Sequence, residues 1–239
     1  MSTTPSNFLF RFQIPCRRFH GQQAAWSKTS CDALDASYSL PFWTRYDQRR
    51  DPYGRRVCGA NEPSSPENAN IFDFRIAWSH EGLYLATTVG GKKKQDYWSS
   101  NDLRDADSLR LCLDMRDVKD LRRATRFCHK FIFYPTVGFS KSSTSPQVEI
   151  SPINRAKDLH DPIDPESITV VSKLRKDGYA LAAFIPREAL TGFNPEEFNR
   201  FGMHFAVRDS QYGLFSLQHG DPLPYEDDPS LWSSFVMEK

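Results

Sequence analysis

The chain has 239 residues, 39% hydrophobic and 26% charged, with 31 basic against 30 acidic side chains and a formal net charge of +1. That length suits one large β domain, expected across 1–239, and near-neutral charge argues against a nucleic-acid binder that works by phosphate neutralisation. No segment reaches the apolar length needed to span a membrane, and sixteen prolines with eighteen phenylalanines fit many short strands better than a helical bundle.

The pattern along the chain is mostly period two, the signature of strands with one face in a core. Phe8, Phe10, Phe12 and Ile14 alternate with Leu9, Arg11 and Gln13, which predicts an opening strand. Cys16–Tyr38 reads as an irregular connection. Leu40–Arg56 mixes Phe42, Trp43, Tyr46 and Tyr53 with five arginines, a composition used both by sugar-binding surfaces and by long covering loops. Asn61–Asn70, rich in Pro, Ser and Asn, reads as loop.

The stretch from Ile71 to Asp117 organises the rest. Phe72, Phe74, Ile76 and Trp78 alternate with Asp73, Arg75 and Ala77, His80-Glu81-Gly82 turns the chain, and Leu83, Leu85 and Val89 continue the pattern as a hairpin partner. A polar loop over 90–106 follows, and Leu109, Leu111, Leu113 and Met115 resume the alternation. Gly90-Gly91-Lys92 lacks the Walker spacing and the following helix, which rejects a phosphate-binding loop.

Further strands are expected with Phe127, His129, Phe131 and Phe133 on one face, around Val148 and Ile150, and as a hairpin of 168–174 with 179–185 about Lys176-Asp177-Gly178. Pro186–Leu190 suits a brief helical turn; 203–207, 215–218 and 232–237 close the sheet. The expected class is an all-β, antiparallel, jelly-roll-like sandwich with long loops and one or two short helical turns.

A family resemblance rests on these elements. "AW…EGLYLATTV" followed by "DADSLRLCLDMRD", then "DGYALAAFIPREAL", "FGMHFAVRD" and "DPSLWSSFVM", resembles in order and spacing the family 9 carbohydrate-binding modules and the related DOMON-like sandwiches, most strongly over 71–237. The resemblance implies a non-catalytic sandwich that holds a sugar between two aromatic rings. Carried onto this chain, it offers Tyr97 and Trp98 in the 90–106 loop and Tyr212 as the second ring. Where the family has an aromatic just before its strand this chain has Arg104, and the strand's acidic position is Arg110. A guanidinium donates and never accepts, so these departures favour carboxylated or sulfated sugars over neutral ones.

Strand phase supports the same direction. Side chains opposite the apolar set include Arg110, Cys112 and Asp114, then Cys128, Lys130 and Tyr134, then His204 and Arg208. If their strands are neighbours, Arg110, Lys130 and Arg208 make a cationic face suited to an anionic ligand; the alternative is ordinary ion pairing.

The expected ligand sites are therefore Tyr97, Trp98, Arg110, Lys130, Arg208 and Tyr212, with no catalytic residue, no cofactor and no metal. Glu226-Asp227-Asp228 reads as solvated charge in a loop. His129 shares the apolar phase of its strand whereas Cys128, Cys112 and His204 lie on the other, so the four cannot converge on one metal or haem across a regular sheet. The partner expected is a carbohydrate or anionic glycan. The alternatives are a structural or protein-interaction sandwich without a sugar site, and third a haem- or metal-binding DOMON-like domain. The N-terminus has no continuous apolar signal segment, and five cysteines without zinc or redox spacing fit free thiols in a reducing, cytoplasmic setting, with export left open by the choice of start site.

Overall fold

The structure is a computed structural model that describes residues 13–21, 31–40, 44–50, 56–63, 71–93, 103, 106–138, 144–217 and 223–239, with backbone only for 44–50, 56–63 and 144. The strands in chain order are β1 (Gln13–Arg18), β2 (Thr44–Arg50), β3 (Arg56–Pro63), β4 (Phe72–Ser79), β5 (Gly82–Val89), β6 (Ser108–Asp114) and β7 (Cys128–Gly138). They continue as β8 (Thr144–Ile150), β9 (Thr169–Arg175), β10 (Gly178–Pro186), β11 (Arg200–Asp209), β12 (Gly213–Ser216) and β13 (Ser233–Met237). Single 3-10 turns at Ala36–Tyr38, Pro165–Ser167, Arg187–Ala189 and Pro229–Leu231 complete the described elements.

Two sheets face each other, as the alternation requires. One runs β8-β7-β6-β11, after which β13 pairs with the first half of β11 and β12 with the second; β2 and β3 extend from β12. The other runs β4-β5-β10-β9 in antiparallel order. β1 joins the sheets. Its Gln13–Cys16 half pairs with Ser234–Met237, and Arg17 and Arg18 pair with Ala77 and Trp78, both parallel. This parallel strand is one departure from a wholly antiparallel sandwich, and it carries the opening strand on to Arg18, into the segment expected to be irregular. Its predicted start, Phe8 to Phe12, lies outside the described residues.

Inner-face residues form one core. Phe72, Phe74, Ile76, Leu83, Leu85, Leu181 and Ile185 meet Leu109, Leu111, Phe131, Phe133, Phe205, Val207, Phe215 and Phe235, all buried. Phe74 stacks on Phe205 with ring centroids 4.1 Å apart, and Phe72 on Phe215 at 4.6 Å, so aromatic pairs join the two sheets directly. The β4–β5 hairpin closes through His80 and Glu81, with Ser79 opposite Gly82. Gly82 and Gly178 open β5 and β10 at φ 150° and 157°, where a Cβ would strike Ile185 O at 2.1 Å and Val89 O at 1.9 Å.

β2 falls in the arginine-rich stretch, and β3 runs into 61–63 of the segment read as loop, whose remainder, 64–70, lies outside the described residues. β2 adds to the edge of β12, and that backbone pairing outweighs a composition poor in β-formers. The outer face of the second sheet is also apolar: Ala77, Tyr84, Ala86, Ala180, Ala182 and Phe184 are buried beneath Phe19, Cys31 and Leu34. The small side chains there let the covering segment approach closely.

Candidate functional site

The cationic face forms because its three strands are neighbours. β11 pairs with β6, and β6 with β7, in a register that aligns His204, Cys112 and Lys130 in one row and Ala206, Arg110 and Ile132 in the next, with Arg208 opposite Ser108. Arg110 therefore sits diagonally between Lys130 and Arg208. Side chains on such diagonals lie within reach of long residues.

All three point at one carboxylate. Arg110 Nη1 donates to Glu226 Oε1 at 2.8 Å and Oε2 at 3.1 Å, Lys130 Nζ lies 2.9 Å from Oε2, and Arg208 Nη2 lies 3.9 Å from Oε1. The side chains of Arg110, Lys130, Arg208 and Glu226 are 15%, 8%, 16% and 18% exposed, so the cluster is recessed but open to solvent. Burial alone would push the Glu226 carboxyl up, yet Arg110 and Lys130 outweigh it through charge and hydrogen bonds and hold it down at about 2. Glu226 is thus ionised under ordinary conditions. The expectation of a solvated loop charge is overturned for Glu226, because the 223–232 segment lies over the sheet with Tyr225 and Trp232 buried.

Aromatic packing holds that connection down. Tyr225 buries against Ala206 and Leu214, Trp232 against Cys112 and Cys128, and Trp232 Nε1 donates to Tyr225 O at 2.6 Å. Asn154 Nδ2 reaches Asp227 at 3.1 Å. Among the described residues three cations share the carboxylate of Glu226, with Asp227 next to it in the chain and Glu149 at the margin of the face. Arg110 Nε and Arg208 Nε are buried without a hydrogen-bond partner. At the margin, Tyr134 donates to Glu149 at 2.9 Å, and burial, with Glu149 beside it, raises its phenol far above the ordinary range. Neither Glu226 nor Tyr134 is therefore poised to exchange a proton near neutral pH.

A second cluster lies at the end of the same strands. Lys92 donates to Asp107, to Asp209 at 2.8 Å and to Ser210 Oγ at 3.2 Å, with the three charged side chains 1%, 3% and 0% exposed. Burial works against the Lys92 ammonium, but the two carboxylates outweigh it and raise its pKa. Asp107 is also raised, by burial and by Asp209 beside it, against the pull of Lys92. Backbone amides absorb the acidic surplus: Ser210 N donates to Asp107 at 2.7 Å, and Gln211 N and Tyr212 N to Asp209 at 2.9 Å. Lys92, from the Gly-Gly-Lys run, is a buried fastener between the loops after β5 and β11.

That fastener places Tyr212. Its ring is half-buried against Phe215, 6.1 Å between centroids, and its hydroxyl donates to Gly91 O at 2.5 Å. The loop that carries Tyr97 and Trp98 thus leaves from beside Tyr212; Tyr97, Trp98 and Arg104 themselves lie outside the described residues. Of the sequence-derived set, Arg110, Lys130 and Arg208 come together, and Tyr212 sits apart from them at the sandwich end. Glu226, Lys92, Asp107 and Asp209 were not singled out as site residues. Asp107 and Asp209 had a legible signal, since each flanks a strand end that antiparallel pairing would bring together.

Asp114, also on the outer face, is taken up by a turn. Asp114 accepts from Arg116 N at 3.0 Å and Val118 N at 2.8 Å, capping the turn after β6. His129 faces inward as its phase predicts, and burial, then the charge of His160, lowers it to about 3. Among the described residues no group of three or more His, Cys, Asp or Glu could hold a metal ion.

No family model and no curated protein matches the chain. Among solved structures it is similar to a family 9 carbohydrate-binding module from Caldicellulosiruptor kristjanssonii in complex with cellotriose, at 17% identity and TM-score 0.49 over 70% of this chain and 74% of that one. A complex of a family 9 module from the same organism with glucose gives 16%, 0.48, 70% and 76%. A Bacteroides uniformis protein assigned to carbohydrate binding gives 12% identity and TM-score 0.48 over 95% of this chain and 98% of that one.

Proposed function

We propose that this protein is a non-catalytic carbohydrate-binding sandwich whose β6–β7–β11 face takes an acidic glycan. The observation that carries the reading is the convergence, among the described residues, of Arg110, Lys130 and Arg208 on a single carboxylate at a recessed but open position. Acidic sugars supply the acceptors that guanidinium and ammonium groups require, whereas neutral hydroxyls satisfy them less well. The aromatic residues Tyr97, Trp98 and Tyr212 are proposed to contact the sugar rings, supported by the family resemblance and by the tie from Tyr212 to the 90–106 loop.

A second reading, a protein-interaction or structural domain, is favoured by the fact that Glu226 already pairs with the three cations. One experiment separates them. The purified chain is screened against neutral, uronic-acid and sulfated oligosaccharides at two salt concentrations. Acidic-glycan binding that weakens with salt, and that Arg110→Ala reduces more than any neutral-glycan binding, supports the proposal. Folded protein that binds no glycan refutes it in favour of the interaction domain.

A further inference from the structure

Glu226 is a carboxylate on a flexible stem, and the way it is held describes the chemical group that the cradle fits. Its Oε1 faces Arg110 at 2.8 Å and Arg208 at 3.9 Å; its Oε2 faces Arg110 at 3.1 Å and Lys130 at 2.9 Å. Each oxygen of the planar pair therefore faces two cations, and Arg110 is common to both. These contacts are all made to two oxygens in one plane, as a carboxylate presents them. The cradle is matched to a carboxylate.

We infer that Glu226 is an internal stand-in for a ligand carboxylate, so that the acidic glycan recognised at this face is a uronate and competes with the protein's own side chain. This rests on the acidic-glycan reading above and names its ligand class.

The exchange needs only side-chain rotation. Tyr225 and Trp232 are buried on either side of Glu226 in the chain, and the Glu226 side chain is 18% exposed on its solvent side. A uronate entering from that side would meet Arg110, Lys130 and Arg208, and the displaced Glu226 carboxylate would be rehydrated. No bond is made or broken. With three described cations in contact with one carboxylate, this part of the face favours an incoming anion before the exchange occurs. The buried, unpartnered Arg110 Nε and Arg208 Nε give the cations a further reason to rearrange around an oxygen-rich ligand.

The opposing account is that Glu226 organises the cations and has no competitor. The two accounts predict opposite signs. If Glu226 competes, Glu226→Gln removes a repelling charge within about 4 Å of the incoming carboxylate and raises affinity for oligogalacturonate by about tenfold or more. If it organises, the same variant binds more weakly. Sulfated oligosaccharides should gain less than oligogalacturonate in either protein.

The test uses the full chain in three forms, wild type, Glu226→Gln and Glu226→Ala, with calorimetric titration of oligogalacturonate and a sulfated oligosaccharide. Thermal melts of Glu226→Ala in acetate, sulfate and chloride are run at matched ionic strength. Expected are tighter oligogalacturonate binding by Glu226→Gln and a larger rise in melting temperature with acetate than with sulfate. Should Glu226→Ala fail to fold, the isosteric Glu226→Gln still decides the sign. Weaker oligogalacturonate binding in Glu226→Gln, or stabilisation of Glu226→Ala by sulfate equal to that by acetate, overturns the inference. Neutral glycans bound equally by all three proteins, with no uronate effect, overturn it while leaving carbohydrate binding intact. Acetate preference without binding of any glycan upholds the carboxylate cradle and refutes the glycan function.

Discussion

Substituting Lys92 by Met isolates the energetics of the buried cluster at the sandwich end. Met keeps the length of the stem and removes the ammonium, leaving Asp107 and Asp209, 3% and 0% exposed in their side chains, without a cation between them. Removing one partner of a buried ion pair costs about 3–5 kcal/mol, because the remaining charge is left uncompensated in a medium that solvates it poorly. In a chain of this size each kcal/mol shifts the melting temperature by about 2–4 °C, so a fall of roughly 6–20 °C is expected.

The deficit should depend on pH in a definite direction. Asp107 already has a raised pKa with Lys92 present, from burial and from Asp209. Without Lys92 it rises further, so the folded state holds a proton that the unfolded state releases, and stability increases as pH falls. Thermal melts of Lys92→Met should therefore approach the wild type more closely at about pH 5 than at about pH 7.5. Adding Asp107→Asn should recover much of the loss at the higher pH, because it removes the like-charge contact and keeps the oxygen that accepts from Ser210 N. A melting temperature within a few degrees of wild type, or a deficit unchanged with pH, would refute the assignment of this cluster as the fastener.

Three other expectations concern Glu226, Tyr212 and, on the proposed function, Trp98. Glu226 falls from an ordinary 4.5 to about 2; this corresponds to about 3 kcal/mol that is present above about pH 4.5 and lost as pH falls towards 2, so Glu226→Gln should flatten the acid limb of a denaturation curve. Tyr212→Phe removes the hydrogen bond to Gly91 O; it should cost about 1 kcal/mol and speed amide exchange at Lys93, and an unchanged exchange rate would exclude a tethering role. Trp98→Ala should weaken glycan binding by about 1–3 kcal/mol with the melting temperature preserved, whereas a parallel loss of stability would make the ring part of the core.

The face was legible where regular alternation governs it. Arg110, Lys130 and Arg208 share a phase opposite Leu111, Phe131 and Val207, and a period-two strand fixes that phase without any knowledge of strand order. Their convergence needed the order β11-β6-β7, which pairing supplies and alternation cannot. Glu226 was illegible for a different reason. It lies in an irregular connection with no periodic phase, and its position depends on Tyr225 and Trp232 finding the apolar parts of the outer face. β2 and β3 escaped notice because edge strands can take their stability from backbone pairing and so carry a weak side-chain pattern.

The two charged clusters show why the sheet face, and not the sandwich end, is the better candidate for a ligand. Both have unequal numbers of opposite charges, but they dispose of the surplus differently. At the end, Lys92 faces two carboxylates, and the extra acidity is taken up by the amides of Ser210, Gln211 and Tyr212 inside a sealed interior. On the face, the surplus is cationic, and among the described residues Glu226 is the acceptor that Arg110, Lys130 and Arg208 share. Buried cations without matched acceptors are costly, which keeps these side chains at the solvent boundary and leaves donors unspent. A cluster serving stability alone gains nothing from that surplus, since replacing one of the three cations by an apolar residue would lower the desolvation cost. On the proposed reading, an anion arriving from solvent would make use of it directly.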